Sequence, residues 1–312
     1  MSLTLNNILI ALKAAGEETR IRILALFNSG EFTVTEIVTI LRQSQPRISR
    51  HLRLLCEAGL LERHREGTWI FYRLSEIGPR ADFVKSLMNF IPTNDQILQH
   101  DQKQIEQVKM ERKMIAAHFF QKNAKNWDKI RSLYVPEKEV EEYLLEVTSD
   151  MVIEDFLDVG TGTGRMLELF AQRTKHGTGI DLSREMLAVA RSHLENNKIR
   201  HLQVRQGDMY DLALKDETMD LVLFHQVLHF ADNPLAAIKE TSRILKKKGR
   251  VVIVDFLPHE MEKLREKYAH RRLGFSKEEV TDWCEMAGLE TLSIKIMQGS
   301  ELDIAIWVAT KK

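Results

Sequence analysis

Alternate glycines followed by an aspartate form a pattern that suits the binding of a nucleoside. Gly160, Gly162 and Gly164 come directly after a short apolar segment, FLDV, and before a segment of helical character. Residues without a β-carbon let the backbone of such a strand-to-helix turn approach a ligand closely. Asp181 ends the next apolar segment, 21 residues after Gly160, where a carboxylate can accept both hydroxyls of a ribose.

Two further positions narrow the kind of ligand. Asp208 lies in RQGDMYDL, after a third predicted strand, where we expect it to meet an adenine amino group. A dinucleotide-binding fingerprint would place its third glycine where Arg165 stands, so the spacing argues against NAD. The alternative is a turn that holds no ligand, with Asp181 and Asp208 as ordinary caps of strand ends.

A second group of residues suits contact with DNA. Lys+Arg and Asp+Glu are equal at 45 each over the whole chain, yet residues 42–73 contain seven arginines and three glutamates. On the predicted helix 46–58, apolar residues share one face and Arg47, Arg50 and Arg53 point mainly the other way. Outward arginines can contact phosphate oxygens or guanine edges, although a merely solvated helix face is the alternative.

The elements around these arginines predict a winged helix. Leucines and isoleucines at helical spacing predict helices over 3–14 and 18–28, and Thr33 with Glu36 forms a capping-box signal for a third helix. Gly59 closes the fourth helix. A hairpin follows in LLERHREGTWIFYRL, with its turn at Glu66-Gly67 and arginines before that turn.

The part of the chain after residue 152 has a different pattern. Short apolar strands alternate there with helix-length segments, which predicts an α/β fold with a doubly wound, mostly parallel sheet covered on both faces. We expect Lys246–Lys248 at the C-terminal end of the helix that begins near Pro234, and a terminal antiparallel hairpin. The predicted division is a winged helix at 1–75, a helical connector and dimer contact at 76–150, and the α/β domain at 151–312.

Composition excludes several classes of protein. Apolar residues make up 44% of the 312 residues and charged residues 29%, as is typical of globular chains. Cys56 and Cys284 are far apart, so neither a disulfide framework nor a Cys-x-x-Cys site is expected, and a cytoplasmic location fits. We expect no export signal, because Asn6, Asn7 and Lys13 interrupt the mildly apolar N-terminus and no small-residue cleavage site follows a basic start. We expect no membrane domain, because the chain has no uninterrupted apolar run of about 18 residues.

The motifs DVGTGTG, GIDLS, GDM and DLVLFHQVLHF resemble those of class I S-adenosylmethionine-dependent methyltransferases over about 150–312. The resemblance implies a seven-stranded Rossmann-like sheet that holds S-adenosylmethionine or S-adenosylhomocysteine over the carboxyl ends of its strands. It implies cofactor-binding roles for the following residues: Asp158, Gly160, Thr161, Gly162, Gly164, Asp181, Leu182, Asp208, Met209 and His225.

Methyl transfer needs a base only when the methyl acceptor carries a proton. His225 and His229 are the candidates for that catalytic base. His259 and His270 flank a later helix. The alternative is that each histidine is structural, because no nucleophile, carboxylate partner or third metal ligand accompanies it in the sequence. The motifs typical of DNA-methylating enzymes are absent, so DNA is not the expected methyl acceptor.

Residues 12–74 resemble the ArsR-type winged-helix repressors, especially at SRHLRLLCEAGLL. The resemblance implies a homodimer that binds an inverted repeat in double-stranded operator DNA. It implies DNA contacts by Gln45, Arg47, Ser49, Arg50, His51, Arg53, Arg63 and Arg65. The third helix, TVTEIVTIL, lacks the cysteine pair of thiolate sensors, so we expect no metal site. Methyltransferases that act on arsenic need several cysteines, so we expect no arsenic methylation either.

The whole chain resembles the known fusion of these two families, including EKYAHRRLGFSKEEV at 266–280. The main interpretation is a dimeric transcriptional regulator whose methyltransferase-like domain binds the adenosyl ligand and changes operator affinity. The alternative is an active small-molecule methyltransferase with an autoregulatory DNA-binding domain. An interaction module with two vestigial sites is a third interpretation. A regulator that binds the ligand and an active methyltransferase both need the cofactor motifs. The sequence therefore leaves open whether the protein is an enzyme.

Overall fold

Two units make up the chain, Met1–Met114 and Ile115–Lys312. The computed structural model describes residues 4–66, 68–75, 80–92, 94–124 and 137–312. The boundary between the units falls inside the segment 76–150 that the sequence indicates as a connector. Its described part is largely helical, and its role as a dimer contact stays a prediction.

The first unit begins with a winged helix. Its elements are α1 (Leu5–Ala15), α2 (Glu18–Leu26), β1 (Phe32–Thr33), α3 (Val34–Leu41), α4 (Gln45–Glu57), β2 (Leu61–Glu66) and β3 (Trp69–Leu74). The three strands form an antiparallel sheet in the order β1-β3-β2. Gly67, in the predicted hairpin turn, lies outside the described residues, and the flanking pair Glu66 and Trp69 closes the ladder.

The predicted capping box of α3 and the predicted stop of α4 are confirmed, whereas α2 ends at Leu26 and not at the predicted residue 28. The Thr33 backbone N–H donates to Glu36 Oε2 at 2.8 Å and the Glu36 N–H donates to Thr33 Oγ1 at 3.4 Å, so both halves of the capping box are present. Gly59 follows α4 with φ of +64°, a left-handed conformation that favours glycine. Ser44 occupies the N-cap of α4 without a side-chain hydrogen bond.

Two further helices complete the first unit and continue beyond it. They are α5 (Ala81–Phe90) and α6 (Gln96–Asn123), and the 28 residues of α6 cross the boundary between the units. Asp101 on α6 accepts two hydrogen bonds from the Arg22 guanidinium, at 2.7 and 2.8 Å. Arg112, also on α6, lies 2.5 Å from the Glu36 carboxylate. These paired charges fix the part of α6 between Asp101 and Arg112 to α2 and α3.

The second unit contains a seven-stranded sheet in the order β6-β5-β4-β7-β8-β10-β9. Its strands are β4 (Ile153–Val159), β5 (Thr174–Asp181), β6 (Leu202–Gln206), β7 (Met219–His225), β8 (Leu245–Phe256), β9 (Leu289–Met297) and β10 (Ile304–Lys311). Strands β4 to β8 are parallel, and β10 is antiparallel to both β8 and β9. The predicted terminal hairpin is therefore confirmed.

Helices cover both faces of this sheet. They are α7 (Glu137–Glu146), α8 (Arg165–Phe170), α9 (Arg184–Asn196), α10 (Pro234–Ile244), α11 (Lys263–Tyr268) and α12 (Lys277–Met286). One buried cluster contains Phe156 and Leu221 and the other contains Leu157 and Val222, so successive residues of β4 and β7 pack on opposite sides. The predicted doubly wound α/β fold is confirmed.

The order of the strands defines where a ligand is expected. From β4 the chain moves outward through β5 to β6, and it then returns to β7 on the other side of β4. Ligands of open α/β sheets bind at such a reversal, outside the carboxyl ends of the strands. The loops after β4, β5 and β7 meet there.

One sequence interpretation is wrong. Lys246–Lys248 lie in β8, since α10 ends at Ile244, and they do not neutralise the end of that helix. Lys246 Nζ lies 3.0 Å from Asp155 Oδ2 and 2.9 Å from Asp220 Oδ1, so it pairs with carboxylates near the starts of β4 and β7. The strand begins directly after the helix, which the charge pattern of the lysines does not reveal.

Candidate functional site

The glycine loop after β4 packs tightly against the loop after β7. Gly160 has φ of +70°, and a β-carbon placed on it would lie 2.2 Å from Val227 Cγ2. Asp158, 1% exposed, accepts a hydrogen bond from Thr161 Oγ1 at 2.6 Å. The Thr161 N–H donates to Ile180 O at 2.8 Å. Any side chain at position 160 would displace Val227, and the loop is fixed to β5.

Gly164 has a different role from the other two glycines. It is the N-cap of α8 with φ of +86°, and a β-carbon there would lie 3.1 Å from the β-carbon of Ala190 on α9. It is not among the residues that line the cavity described below. The glycine therefore allows α8 and α9 to approach each other, and the ligand contact predicted for it stays a prediction.

Asp181 connects the end of β5 to the glycine loop. Its Oδ2 accepts the N–H of Gly162 at 3.0 Å, and its Oδ1 accepts the N–H of Ser183 at 2.8 Å. Burial raises the pKa of the Asp181 carboxyl, and these backbone N–H groups act against that rise. Each oxygen of an ionised carboxylate has a second acceptor position, so Asp181 can still accept two hydroxyls.

A cavity lies at the strand reversal and brings most of the predicted cofactor residues together. Those that line it are Asp158, Gly160, Thr161, Gly162, Asp181 and His225. The remaining lining residues, for which no individual role was predicted, are Phe120, Met166, Met186, Gln226, Val227 and Phe230. The cavity thus has carboxylates and glycine backbone on one side and aromatic rings on another.

Asp208, Met209 and Leu182 are not among the lining residues of this cavity. Asp208 follows β6, and its Oδ1 accepts the N–H of Tyr210 at 3.1 Å. Leu182 follows Asp181 directly and is 49% exposed. An adenine contact by Asp208 therefore stays a prediction.

The two candidate catalytic histidines lie in different surroundings. His225 ends β7 and lines the cavity, whereas His229, in the 3-10 turn Leu228–Phe230, does not. His229 Nδ1 donates to Asp255 Oδ1 at 2.8 Å, and the N–H groups of His229 and Phe256 also donate to this fully buried carboxylate. The statement that no carboxylate accompanies these histidines is thus wrong for His229. Asp255 in RVVIVDF, at the end of the strand beside β7, was the available signal.

His270 stacks on His229 and is itself uncharged. The ring centroids are 4.0 Å apart with an interplanar angle of 23°. Burial, followed by the neighbouring His229, His259 and Arg265, lowers the pKa of His270 well below its ordinary value. The backbone oxygen of His229 also accepts from the N–H groups of the segment 271–272. His229 therefore anchors this segment, which belongs to the stretch 266–280 that the sequence singled out.

Gln226 is a lining residue that lies within the motif DLVLFHQVLHF, but the sequence predicted no role for it. Its φ is +55°, a conformation uncommon for residues other than glycine, and its N–H donates to Val254 O at 2.8 Å. The side-chain nitrogen is buried and has no hydrogen-bond partner within the part of the chain that the structure describes.

The winged helix presents a basic face. Of the predicted DNA-contact residues, Gln45, Arg47, Ser49, Arg50, Arg53, Arg63 and Arg65 are exposed. His51 differs, because its side chain is 12% exposed and its Nδ1 lies 3.6 Å from Glu17 Oε2. Burial is the main cause that lowers the pKa of His51. The outward arginines of α4 match the predicted helix face, and their DNA contacts stay a prediction.

Two family models match separate parts of the chain. The model described as bacterial regulatory protein, arsR family, matches residues 17–63, and the model described as methyltransferase domain matches residues 157–253. The chain joins an ArsR-family helix-turn-helix domain to a methyltransferase domain. The first match contains α3 and α4, and the second contains the glycine loop, Asp181 and His225.

Curated relatives match each domain separately. The arsenical resistance operon repressor of Escherichia coli (strain K12) is 50% identical over 64 residues, which are 20% of this chain and 55% of the repressor. Phosphatidylethanolamine N-methyltransferase of Cereibacter sphaeroides is 39% identical over 100 residues, which are 32% of this chain and 49% of that protein. The chain thus spans about half the length of these curated relatives.

A solved structure supports the fold of the methyltransferase domain. A S-adenosylmethionine-dependent methyltransferase from Clostridium acetobutylicum ATCC 824 superposes with a TM-score of 0.52 at 17% identity. The superposition covers 61% of this chain and 98% of that chain. At this identity the likeness shows a shared fold alone.

The two thiols, one in each domain, are poorly suited to bind a metal ion. Burial raises the pKa of Cys56 in the ArsR domain to about 11 and that of Cys284 in the methyltransferase domain to about 12, so both are protonated at neutral pH. Among the described residues, no three side chains of His, Cys, Asp or Glu are grouped as a metal site. No helix in that part of the chain is long and apolar enough to cross a membrane.

Proposed function

We propose that this protein is a DNA-binding transcriptional regulator of the ArsR type whose methyltransferase domain binds S-adenosylmethionine or S-adenosylhomocysteine. Ligand binding changes the affinity of a homodimer for its operator. The observation that carries the proposal is the cavity at the strand reversal, lined by Asp158, Asp181 and the glycine loop, in a chain that also carries an ArsR-family domain.

The residues of the cavity fit an adenosyl ligand. Asp181 has acceptor positions left for two ribose hydroxyls, and the absence of a β-carbon at Gly160 leaves backbone at the cavity surface. The buried Asp158 carboxylate suits the ammonium of an amino-acid tail. When bound, S-adenosylmethionine supplies an electrophilic methyl group, whereas S-adenosylhomocysteine lacks both the methyl and the sulfonium charge.

The basic face of α4 suits operator DNA. Arg47, Arg50 and Arg53 are exposed on one side of the helix, and arginines of the wing extend the positive charge. A symmetric dimer would place two such helices in major grooves about one helical turn apart. Cytoplasmic location and dimerisation are parts of this proposal.

Helix α6 supports coupling between ligand and operator. It carries Asp101 and Arg112, which pair with Arg22 and Glu36 of the ArsR domain. Its last turns hold Phe120, which lines the ligand cavity. A ligand that changes the position of Phe120 acts on the same helix to which the operator-reading domain is fixed. Coupling of this kind is typically about 1–3 kcal/mol, or roughly 5- to 150-fold, and is reciprocal.

Titration of labelled operator with protein tests the proposal. The operator is first located by footprinting, and its affinity is then measured with no ligand, with S-adenosylmethionine and with S-adenosylhomocysteine. We expect the two ligands to differ in effect, and operator to change ligand affinity by the factor with which ligand changes operator affinity. Asp181→Ala should lose the response, and Asp303→Ala, at an exposed aspartate, should keep it. Equal operator affinity in all these conditions would refute sensing.

A second candidate function is methyl transfer to a small molecule. The rings of Phe120 and Phe230 form an edge-to-face pair with centroids 5.0 Å apart and line the cavity together with His225, so the cavity offers an apolar surface and a proton acceptor. The test is transfer of labelled methyl from S-adenosylmethionine to a panel of small amines and phenols, with phosphatidylethanolamine included because of the relative named above. The Asp181→Ala variant gives the background level of labelled product. Labelled product from the intact chain supports this candidate, and label at the background level for every acceptor counts against it.

A further inference from the structure

We propose that Gln226 recognises the carboxylate of the ligand's amino-acid tail, and that this contact separates amino-acid-bearing adenosyl ligands from tail-less ones. The inference rests on the proposed function, because it concerns the same cavity. Gln226 lies in the motif DLVLFHQVLHF, but the sequence predicted no role for its side chain, and the role proposed here is inferred from the surroundings of that side chain.

Among the described residues, no acceptor pairs with the buried amide nitrogen of Gln226. The residue is 6% exposed and lines the cavity, and its side-chain nitrogen has no hydrogen-bond partner among the residues that the structure describes. A buried donor without a partner is destabilising, and such groups in native proteins call for an explanation. A ligand with an acceptor atom at this position would accept a hydrogen bond from the Gln226 amide.

The backbone at Gln226 is also held in an unfavourable conformation. Its φ of +55° is left-handed, which costs energy for a residue with a β-carbon. The N–H bond to Val254 O, at 2.8 Å, attaches this turn to β8. Residues in such conformations are concentrated at ligand sites, where the surrounding structure maintains them. The conformation is thus a second observation, independent of the unpaired amide, at the same residue.

The chemistry of the cavity favours a carboxylate as the missing acceptor. Asp181 and Asp158 already provide negative charge, for ribose hydroxyls and for an ammonium, respectively. An amino-acid tail carries a carboxylate beside its ammonium, and that carboxylate needs donors. Asp158 and Gln226 belong to the ends of β4 and β7, which are neighbouring parallel strands with Val159 opposite Phe224. Gln226 therefore supplies a neutral N–H donor next to the strand that carries Asp158.

Calorimetry with two ligands tests the assignment. The probes are S-adenosylhomocysteine, which has the tail, and 5′-methylthioadenosine, which keeps the adenosine and thioether but lacks the tail. The variants of the full chain are Gln226→Met, which has similar length and no donor, and Gln226→Glu, which replaces the donor by a carboxylate. Both are unbranched, so neither adds a new restriction at the left-handed backbone.

Gln226→Met should bind S-adenosylhomocysteine roughly 10- to 100-fold more weakly, because it loses the hydrogen bond from the amide to the charged carboxylate of the ligand. Gln226→Glu should bind it more weakly still, because two carboxylates would then face each other. Both variants should bind 5′-methylthioadenosine within about twofold of the unmodified protein, which is the resolution of such a comparison. Without ligand, Gln226→Met should melt no lower than the unmodified protein, since it removes an unpaired buried donor.

The outcomes separate this inference from the proposed function. If the unmodified protein binds neither ligand, the proposed function fails. If it binds S-adenosylhomocysteine and Gln226→Met binds it equally well, only the role of Gln226 is overturned. Equal weakening of both ligands would mean that Gln226 shapes the cavity, and it would also overturn the carboxylate contact.

Discussion

Replacement of Asp181 by alanine is the sharpest test of the ligand site. Each carboxylate oxygen already accepts one backbone N–H, from Gly162 at 3.0 Å and from Ser183 at 2.8 Å, and has one further position for a ribose hydroxyl. A hydrogen bond to a charged group contributes about 1.5–3 kcal/mol. Loss of two such bonds amounts to about 3–6 kcal/mol, or a loss of affinity of roughly 10²- to 10⁴-fold.

The same substitution has opposing effects on the ligand-free protein. It leaves the N–H groups of Gly162 and Ser183 without their acceptor, which is destabilising. It also removes a carboxylate whose pKa is raised by burial, and thereby removes the cost of burying its charge. Because the two effects oppose each other, we expect the melting temperature without ligand to change little.

Calorimetry with S-adenosylhomocysteine measures the effect, with Asp303→Ala as the matched control at an exposed aspartate. Binding by Asp181→Ala within twofold of the unmodified protein would refute the ribose assignment. The pH dependence is an additional check. Since hydroxyls donate to the ionised carboxylate, affinity should be full above the pKa of Asp181 in the free protein and decline as the pH falls through it. That decline should begin above the ordinary carboxyl value of 3.8, because burial raises this pKa.

Three further outcomes are expected. Asp255→Ala leaves three buried N–H donors of His229 and Phe256 without an acceptor, so chemical denaturation should show a loss of about 3–5 kcal/mol, and a loss under about 1 kcal/mol would contradict this account. The pKa of His270 is lowered in the folded protein, so the unfolded chain binds the extra proton as the pH falls below 6.5; stability should decline there, and His270→Phe should reduce the slope in a denaturation series from pH 7.5 to 5.5. An unchanged slope would argue against a buried neutral His270. Arg50→Ala should weaken operator binding and lower the salt slope by about 1 for each copy bound, whereas Arg200→Ala, in the other domain, should change neither.

The sequence predicted elements whose signals are local. The capping box of Thr33 and Glu36 is a four-residue pattern, and Gly160 follows its strand at a fixed distance, so neighbouring residues were sufficient. Asp181 was predicted as the end of a strand and lies at the cavity because parallel strands end on one edge.

The remaining parts of the site depend on contacts between distant residues. Asp255 meets His229 because β7 and β8 are adjacent, and Phe120 reaches the cavity from a helix that begins at Gln96. The left-handed backbone of Gln226 is maintained by the surrounding structure, and glutamine gives no local signal for it. Lys246 was predicted at a helix end because a positive charge is favourable there. That preference does not specify the residue at which the helix ends.

The position of Phe120 has a consequence for any dissection of this chain. The recognisable methyltransferase sequence begins at residue 157, yet an aromatic wall of its cavity lies 37 residues earlier, on a helix shared with the first unit. A fragment cut at the edge of the family match would retain the carboxylates and the glycine loop but would open one side of the cavity to water. Ligand affinities of such a fragment would describe a different binding site. The helix that joins the two units thus contributes a side chain to the cavity of the second.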